Sequence, residues 1–248
     1  MKLPISKRLL LCADMVPPCE TAADVGTDHG YLAIRLLQAG ICRHVIAADL
    51  REKPLATARA NAELFGFADR MTFLRSDGLH NIRPGSFQTL ICAGMGGDLI
   101  TSILSEAPWL KDPAYSLILQ AQSGGADLRR WLGENRFSID RECLVRDGGF
   151  LYGVMLVRWG EGRPLTPGEQ YVSPALRREN DPLYAAYLDR IRNALERTVA
   201  GITQSADPAD LARADYYRTA FEEISALGYA PEPSPAKESA AAAHTVDG

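Results

Sequence analysis

The chain of 248 residues is 46% hydrophobic and 23% charged, a composition typical of a soluble globular protein of one or two domains. Its formal net charge of −4 weakens the case for a nucleic-acid partner, although a local basic patch stays compatible with it. No run reaches the roughly 18 apolar residues that span a bilayer, and the N-terminus lacks the cleavage pattern of a secretory signal. Five scattered cysteines without a C-x-x-C pair predict free thiols in a reducing cytoplasm, rather than a metal site or disulfides.

The first predicted element is a short amphipathic helix near the N-terminus, where Lys7 and Arg8 precede three leucines. We expect this helix to lie over the mouth of a ligand cavity. Its basic residues either contact a carboxylate or phosphate of the ligand or form a solvated basic end, and the sequence leaves both interpretations open.

A glycine-bearing turn follows, between a predicted strand over residues 22–25 and a predicted helix over residues 31–38. Gly26 and Gly30 allow the backbone to approach a ligand, and the helix N-terminus offers free N–H groups. The spacing does not match the G-x-G-x-x-G dinucleotide fingerprint, and the carboxylates of Asp24 and Asp28 would repel a pyrophosphate. They suit a ligand with a cationic end, and S-adenosylmethionine, with its ammonium and sulfonium groups, is such a ligand.

Two further strands end in acidic residues. The strand predicted over residues 44–49 ends in Asp49, roughly 20 residues beyond the glycine turn, where doubly wound folds place an acid on the ribose hydroxyls. The strand predicted over residues 71–74 is followed by Asp77 and Gly78. Asp77 is either a turn former or an acceptor for the amino group of an adenine, and both interpretations stay open.

Three helices are predicted to flank the strands. The first begins at Pro54 and ends at Gly66, with an apolar stripe formed by Leu55, Ala58, Ala62 and Leu64. The others cover residues 98–104 and 126–135, and the latter turns Leu128, Trp131 and Leu132 inward.

A second glycine motif, Gly94-Met95-Gly96-Gly97, directly follows the strand predicted over residues 87–93. In open α/β sheets, ligands bind outside the carboxyl ends of the strands. A glycine-lined turn there lets backbone amides and carbonyls meet a flat substrate, whereas a tight turn before the next helix is the alternative. The strand predicted over residues 115–120 brings Gln120 and Gln122 to the same rim.

The remaining chain predicts a β-hairpin and then a helical hairpin. Residues 137–145 and 150–159 read as two strands, because residues 146–149 end in a glycine pair. Beyond residue 164, apolar residues recur at spacings of three and four in two stretches, which predicts two amphipathic helices paired like a short antiparallel coiled coil. The second helix is predicted to start with Asp207 as N-cap and Pro208 at its first position. Their arginines either form a solvated face or grip phosphates, and residues 230–248 predict disorder.

With both glycine motifs placed, the sequence resembles the bacterial tRNA (adenine(22)-N1)-methyltransferase family across residues 1–160. The residues that carry the resemblance are Ser6-Lys7-Arg8-Leu9, Ala23-Asp24-Val25-Gly26-Thr27-Asp28-His29-Gly30-Tyr31-Leu32, Asp77-Gly78-Leu79, Ala93-Gly94-Met95-Gly96-Gly97-Asp98-Leu99-Ile100 and Ile118-Leu119-Gln120. One departure is Gln120-Ala121-Gln122, where family members commonly read Gln-Pro-Asn.

The resemblance implies an α/β protein with a Rossmann-like class I methyltransferase sheet in residues 1–162 and a coiled-coil-like helical hairpin in residues 163–229 that helps to hold tRNA. The implied reaction is methyl transfer from S-adenosylmethionine, without a metal, to N1 of adenine 22 in the D-loop of tRNA. We expect a cytoplasmic monomer or weak dimer.

The resemblance also assigns site residues. The expected cofactor-binding residues are Arg8, Asp24, Gly26, Thr27, Asp28, Gly30, Tyr31, Asp49, Leu50, Asp77, Gly78, Leu79, Ala93 and Gly94. The expected catalytic residues are Asp28, His29, Gly94, Met95 and Gly96. Within this set, the backbone carbonyls of residues 93–96 are expected to accept hydrogen bonds from the N6 amine of the target adenine. Asp28 is expected to stabilise the positive charge that develops on the adenine ring. His29 is either a second candidate for that role or a helix-start residue bonded locally. The expected substrate-binding residues are Lys7, Arg8, Gln120, Gln122, Arg190 and Arg197.

Three rival interpretations share parts of this pattern. A methyltransferase acting on a small molecule or protein would keep every cofactor residue and lack a basic face for RNA. A non-catalytic module that binds S-adenosylmethionine or a nucleotide would dock partners through the helical hairpin. A nicotinamide dehydrogenase is disfavoured because the G-x-G-x-x-G spacing is missing.

Overall fold

The structure, a computed structural model, describes residues 2–204 and 208–229. Its strands are β1 (Cys19–Val25), β2 (Cys42–Asp49), β3 (Met71–Arg75), β4 (Thr89–Gly96), β5 (Ser116–Ser123), β6 (Phe137–Asp147) and β7 (Phe150–Trp159). Its α-helices are α1 (Lys7–Asp14), α2 (Tyr31–Gln38), α3 (Glu52–Phe65), α4 (Gly97–Ser105), α5 (Gly125–Glu134), α6 (Pro167–Tyr171), α7 (Pro174–Arg178), α8 (Tyr184–Gln204) and α9 (Pro208–Ala226). The predicted N-cap Asp207 and the predicted disordered tail, residues 230–248, lie outside the described residues.

The described strands form a single sheet in the order β3-β2-β1-β4-β5-β7-β6. Neighbouring strands are parallel except at β7, which is antiparallel to both β5 and β6. The predicted α/β sheet closed by an antiparallel hairpin is therefore confirmed. At the tip of the hairpin, Gly148 and Gly149 take φ values of 55° and 83°, a two-residue turn that glycines form most readily. The carboxyl ends of the five parallel strands meet at one edge of the sheet.

Both faces of the sheet are buried, as is typical of parallel strands. On one face, Val25 and Cys92 pack with residues of α4 and α5, such as Ile100 and Leu128. On the other face, α1, α2 and α3 cover the alternate strand residues, such as Ile91. Helix α2 begins and ends where the sequence predicts, and Gly66 ends α3 in a left-handed conformation with φ of 76°.

Three sequence predictions about the sheet and its helices are corrected. Strand β4 begins at Thr89 rather than at residue 87, and it continues through Gly96, where the sequence predicts a turn. Helix α3 begins at Glu52, so that Pro54 is its third residue rather than its first. Leu64 is 61% exposed, because it follows Leu55 by nine residues, which is half a turn around a helix of 3.6 residues per turn.

The C-terminal helices share a core with the hairpin of β6 and β7. Leu144 and Leu151 of the hairpin join a cluster built from residues of α7, α8 and α9 and from Val172. The two long helices are antiparallel, as predicted. The orientation is shown by a 2.8 Å hydrogen bond from Tyr229, just after the end of the second helix, to Asp189 near the start of the first. The short helices α6 and α7 are additions to the prediction. No helix of the described chain has the length and apolar character that a membrane crossing requires.

Candidate functional site

A cavity of about 470 Å³ opens at the carboxyl edge of the parallel strands. The residues of the expected cofactor set that line it are Arg8, Asp24, Gly26, Thr27, Asp28, Tyr31, Asp49, Leu50, Asp77, Gly78, Ala93 and Gly94. Residues His29, Met95 and Gln122 line it as well. Helix α1 contributes Arg8 and Leu9 to the wall, so it lies over the cavity as the sequence predicts. The volume is within the range of pockets that hold small molecules and cofactors.

Asp24 supplies a buried negative charge at the end of β1. Its carboxylate is only 3% exposed and accepts a 2.7 Å hydrogen bond from the Thr27 hydroxyl. Burial raises the pKa of Asp24 to about 6, the Thr27 hydrogen bond opposes this rise, and the charge of Asp49 adds to it. Among the described residues, no lysine, arginine or histidine forms an ion pair with Asp24. A buried carboxylate without a cationic partner is costly, which favours a cationic ligand group beside it.

The first glycine turn brings backbone close to the cavity. Gly26 has φ of 78°, and its N–H donates to the carbonyl of Ala48 at 2.8 Å. A Cβ at this position would lie 2.3 Å from the terminal methyl of Met95. The Met95 methyl is the end of a flexible side chain and could move aside, so the requirement for glycine at this position comes from its positive φ. The sequence predicts that the backbone at Gly26 comes close to a ligand, and this follows from the conformation of the turn.

Asp28 and His29 lie exposed at the mouth of the cavity. Asp28 has a positive φ of 48°, a conformation that is enriched in Asp and Asn among residues with side chains. Its Oδ2 lies 3.5 Å from Nε2 of His29, and the His29 ring stacks on Tyr31 with centroids 5.7 Å apart. These local contacts agree with both interpretations of His29, as a helix-start residue or as a group that reaches a ligand.

Near the carboxyl ends of β2 and β3, the cavity combines a buried acidic side chain with exposed apolar side chains. Asp49 is almost fully buried at the end of β2 and accepts from the backbone N–H of Arg51 at 2.9 Å. Leu50 and Leu99 line the cavity and are largely exposed, although the family resemblance assigns only Leu50 to the cofactor. Asp77 lies exposed beside them. A flat, mostly apolar ring with polar edges would match these walls.

A set of contacts fixes Arg8 against the second glycine motif. Arg8 Nη1 donates to Oε1 of Gln120 at 2.5 Å, and the Gly94 N–H donates to the same oxygen at 3.0 Å. The guanidinium also lies over the ring of Tyr152, 5.8 Å from its centroid, and the Arg8 backbone N–H donates to Asp147 at 3.2 Å. Neither Asp147 nor Tyr152 was singled out from the sequence, because both lie in the hairpin, far along the chain.

Gly94 interrupts the regular pairing of β4 with β5. Ala93 is paired with Gln120 and Met95 with Ala121, so Gly94 is the extra residue of a β-bulge. Its φ is 84°. The extra residue of a bulge is left outside the strand ladder, and bulges are over-represented next to active sites.

Several expected site residues lie elsewhere than predicted. A Cβ at Gly30 would meet the side chain of Ala58, so this glycine allows α3 to pack against the turn rather than a ligand to approach. Leu79 belongs to the hydrophobic core. Gln120 is fully buried beneath the cavity, so it holds Arg8 and Gly94 rather than facing a substrate. Gly96 does not line the cavity and lies against Ser123 of β5.

The expected substrate-binding residues are also dispersed. Lys7 is exposed on α1, next to the cavity residue Arg8. Gln122 lines the cavity. Arg190 of α8 donates to the Leu151 carbonyl at 2.7 Å, and Arg197 is exposed further along α8 and does not line the cavity.

Comparison with known proteins connects this geometry to a chemistry. The family described as "Methyltransferase domain" matches residues 5–155. The tRNA (adenine(22)-N(1))-methyltransferase of Bacillus subtilis is 28% identical over 215 residues, which cover 84% of this chain and 89% of that protein. The crystal structure of Streptococcus pneumoniae Sp1610, a putative tRNA (m1A22) methyltransferase, superposes with a TM-score of 0.75 at 29% identity, over 89% of this chain and 99% of that one. The structure of the same protein in complex with S-adenosyl-L-methionine superposes with a TM-score of 0.73 at 28% identity, over 88% and 99% of the two chains.

Proposed function

This chain belongs to the methyltransferase domain family, and from that we propose that it transfers a methyl group from S-adenosylmethionine to N1 of adenine 22 in tRNA. The observation that carries the proposal is the cavity at the carboxyl edge of the sheet. It joins a strand bulge to the buried carboxylate of Asp24, which has no cationic partner among residues 2–204 and 208–229. The relatives of known name support the choice of acceptor.

The residues of the cavity fit S-adenosylmethionine. The buried Asp24 would accept from the ammonium group of the methionine end, and the Gly26 turn leaves room for the backbone to contact it. Asp49 would accept from the ribose hydroxyls, while Leu50 and Leu99 would contact the adenine ring from the exposed rims. We propose that Asp77 accepts from the adenine amino group.

S-adenosylmethionine supplies an electrophilic methyl group on its sulfonium, to which N1 of the target adenine bonds as the sulfur–carbon bond breaks and S-adenosylhomocysteine leaves. Because N1 already carries a lone pair, the protein has no need of a strong base. It has to hold an extruded adenine in line with the methyl group. We propose that the bulge at Gly94 does so by accepting from the N6 amine through its carbonyl oxygen, since Gly94 has no register partner on β5.

Asp28 is proposed to stabilise the positive charge that spreads over the adenine ring as the methyl group arrives. Its carboxylate lies at the mouth of the cavity, and its exposure leaves it able to take the proton that N6 loses. Tyr31 and His29 would complete this side of the mouth.

Replacing Asp28 with asparagine is expected to lower kcat about tenfold at saturating S-adenosylmethionine, and the affinity for the cofactor is measured separately because Asp28 also lines the cofactor cavity. The effect is smaller than that of most general bases, since the nucleophile needs no activation. Asparagine is chosen because it tolerates the φ of 48° at this position. Single-turnover methylation and equilibrium titration of the cofactor measure the two quantities. A variant with the parent's kcat would exclude Asp28 from the chemistry.

The function itself is tested by incubating the protein with labelled S-adenosylmethionine and a tRNA transcript that carries adenine at position 22. We expect 1-methyladenosine on nucleoside analysis and none from a matched transcript with guanine at position 22. Equal incorporation into both transcripts would point to another site in the RNA. Binding of the cofactor without incorporation into either would point to a small-molecule or protein acceptor.

We further propose that tRNA approaches over α1, where Lys7 and Arg8 lie beside the mouth of the cavity. The exposed Lys7 is suited to contact a phosphate of the RNA backbone, a contact that positions RNA without reading its sequence.

The free, mostly buried cysteines are consistent with a protein that functions in the reducing cytoplasm. A monomer or weak dimer is the assembly that we propose.

A further inference from the structure

A second cavity of about 400 Å³ lies beside the first. It is bounded by the end of β5, the N-terminal turn of α5, strand β7 and helix α8. Among the described residues, Gln122 is the one that lines both cavities. Arg8 of the first cavity also lies over the ring of Tyr152 in the wall of the second, so these side chains lie between the two cavities.

Four aromatic side chains form part of the walls of the second cavity. Phe150, Tyr152, Tyr171 and Tyr187 all line it. Phe150 lies next to the tip of the hairpin and is 66% exposed, the largest exposed fraction among the large hydrophobic side chains of the described residues. Its ring lies 6.2 Å from that of Tyr152. An exposed phenylalanine at the entrance of a cavity presents a free face on which a flat ring can stack.

The same cavity carries a cation. Arg190 lines it, lies 5.0 Å from the centroid of the Tyr187 ring and donates to the Leu151 carbonyl at 2.7 Å. That hydrogen bond uses one of the five N–H donors of a guanidinium. The acid on the opposite wall, Asp127, is ion-paired with Arg130 at 2.8 Å, which reduces its repulsion of an anion. Aromatic faces together with a positioned guanidinium fit a nucleotide.

From this arrangement we infer that the second cavity binds the nucleotide that adjoins the methylated adenine in the RNA chain. The inference rests on the proposed function. When an adenine leaves its stack to reach the methyl group, the face of the neighbouring base loses its partner. Single-stranded RNA is commonly held by stacking such bases on aromatic side chains. Phe150 supplies that face, Arg190 contacts the linking phosphate, and Gln122 separates the two bases.

The first test compares Phe150→Ala with Leu64→Ala. Both residues are exposed large hydrophobics, but Leu64 lies on the outer face of α3 and lines neither cavity. We expect Phe150→Ala to lower kcat/KM for tRNA roughly tenfold, as the loss of one base–aromatic stack does, and to leave the affinity for S-adenosylmethionine unchanged. Leu64→Ala should leave both quantities unchanged. An unaltered kcat/KM in Phe150→Ala would overturn the inference.

The second test removes the neighbouring base instead of the side chain. Two tRNAs are prepared with an abasic nucleotide on the 5′ or the 3′ side of adenine 22. The unmodified enzyme is expected to lose roughly tenfold in kcat/KM on one of them, and Phe150→Ala is expected to show no further loss on that substrate. Losses that multiply on both substrates would mean that Phe150 and the base act independently, and the inference would be wrong. Failure of the proposed function is distinct, because the unmodified enzyme would then form no 1-methyladenosine on intact tRNA.

Discussion

Replacing Asp24 with asparagine is expected to weaken the binding of S-adenosylmethionine by about 2–5 kcal/mol, the usual loss when one partner of a buried, hydrogen-bonded charge pair is removed. Asparagine keeps an oxygen that can accept from the Thr27 hydroxyl, so the turn is expected to stay intact. Isothermal titration of the cofactor measures the change. The matched control is Asp14→Asn, which removes an exposed carboxylate of α1 outside the cavity and should leave the affinity unaltered.

The same substitution is expected to stabilise the protein without its ligand. The pKa of Asp24 is raised from 3.8 to about 6, so the folded protein binds this proton more tightly than the unfolded chain does. Stability therefore falls as pH rises from about 4 to about 6, and the loss persists above that range. Since a tenfold change in proton affinity corresponds to about 1.4 kcal/mol, Asp24→Asn should be more stable by about 2–3 kcal/mol at pH 7.5.

Urea unfolding at pH 7.5 and pH 4 tests this expectation, because the difference between the proteins should shrink at the lower pH. Cofactor binding by the unmodified protein should strengthen as pH rises through about 6, since an ammonium needs the ionised carboxylate. In Asp24→Asn this dependence should be absent. A parent-like affinity in the variant would contradict the role of Asp24.

Replacing Glu142 with alanine is expected to lower the free energy of unfolding by about 3–5 kcal/mol, because it leaves the guanidinium of Arg129 buried without its partner. Glu142 is fully buried in β6, is ion-paired with Arg129 and accepts from the Ser173 hydroxyl at 2.6 Å. Burial alone would lower the pKa of Arg129, but the charge of Glu142 raises it above its ordinary value. Arg129 also donates to the Gln170 carbonyl at 3.2 Å, so these contacts join α5, β6, α6 and the N-cap residue of α7.

Urea unfolding of Asp140→Ala gives the matched control. Asp140 lies on the same strand and pairs with Arg158 at 3.3 Å, but both side chains are partly exposed, so a loss below about 1 kcal/mol is expected. A double variant, Glu142→Leu with Arg129→Met, should recover much of the stability, because it leaves no unpaired buried charge. Equal losses in Glu142→Ala and Asp140→Ala would show that the buried pair contributes nothing special.

Sequence patterns were sufficient to locate most strands and the cavity, whereas the Rossmann-like methyltransferase sheet was implied by the family resemblance. Helix α2 follows from apolar spacing and from the glycine before it, and the hairpin follows from the pair Gly148-Gly149. Both signals are local, so neighbouring residues decide them. The conjunction of Asp24, Gly26 and Asp49 likewise depends on strand ends, which parallel strands bring to one edge.

The remaining features depend on contacts between distant residues. Whether Gly94 belongs to a turn or to a bulged strand is decided by pairing with β5, which no local pattern of β4 contains. Gln120 was predicted at the end of its strand, but β5 continues to Ser123 and Gln120 lies buried within it, where it accepts from Arg8. The short helices did carry a local signal: Thr166 and Ser173 each cap a helix and precede a proline, and Glu169 completes a capping box.

The hydrogen bond from the Arg8 backbone N–H to Asp147 spans 139 positions of the chain. During synthesis, α1 leaves the ribosome first, yet Asp147, an acceptor for one of its first backbone N–H groups, belongs to the last hairpin of the sheet. The wall of the cavity formed by α1 is therefore completed after every parallel strand has been made. A nascent chain arrested before residue 147 is expected to collapse around β1 and β4 with its first helix packed on α2 but without this hydrogen bond to the hairpin. Non-local closure of this kind slows folding, and it makes the ability to bind the methyl donor one of the last properties that the growing chain acquires.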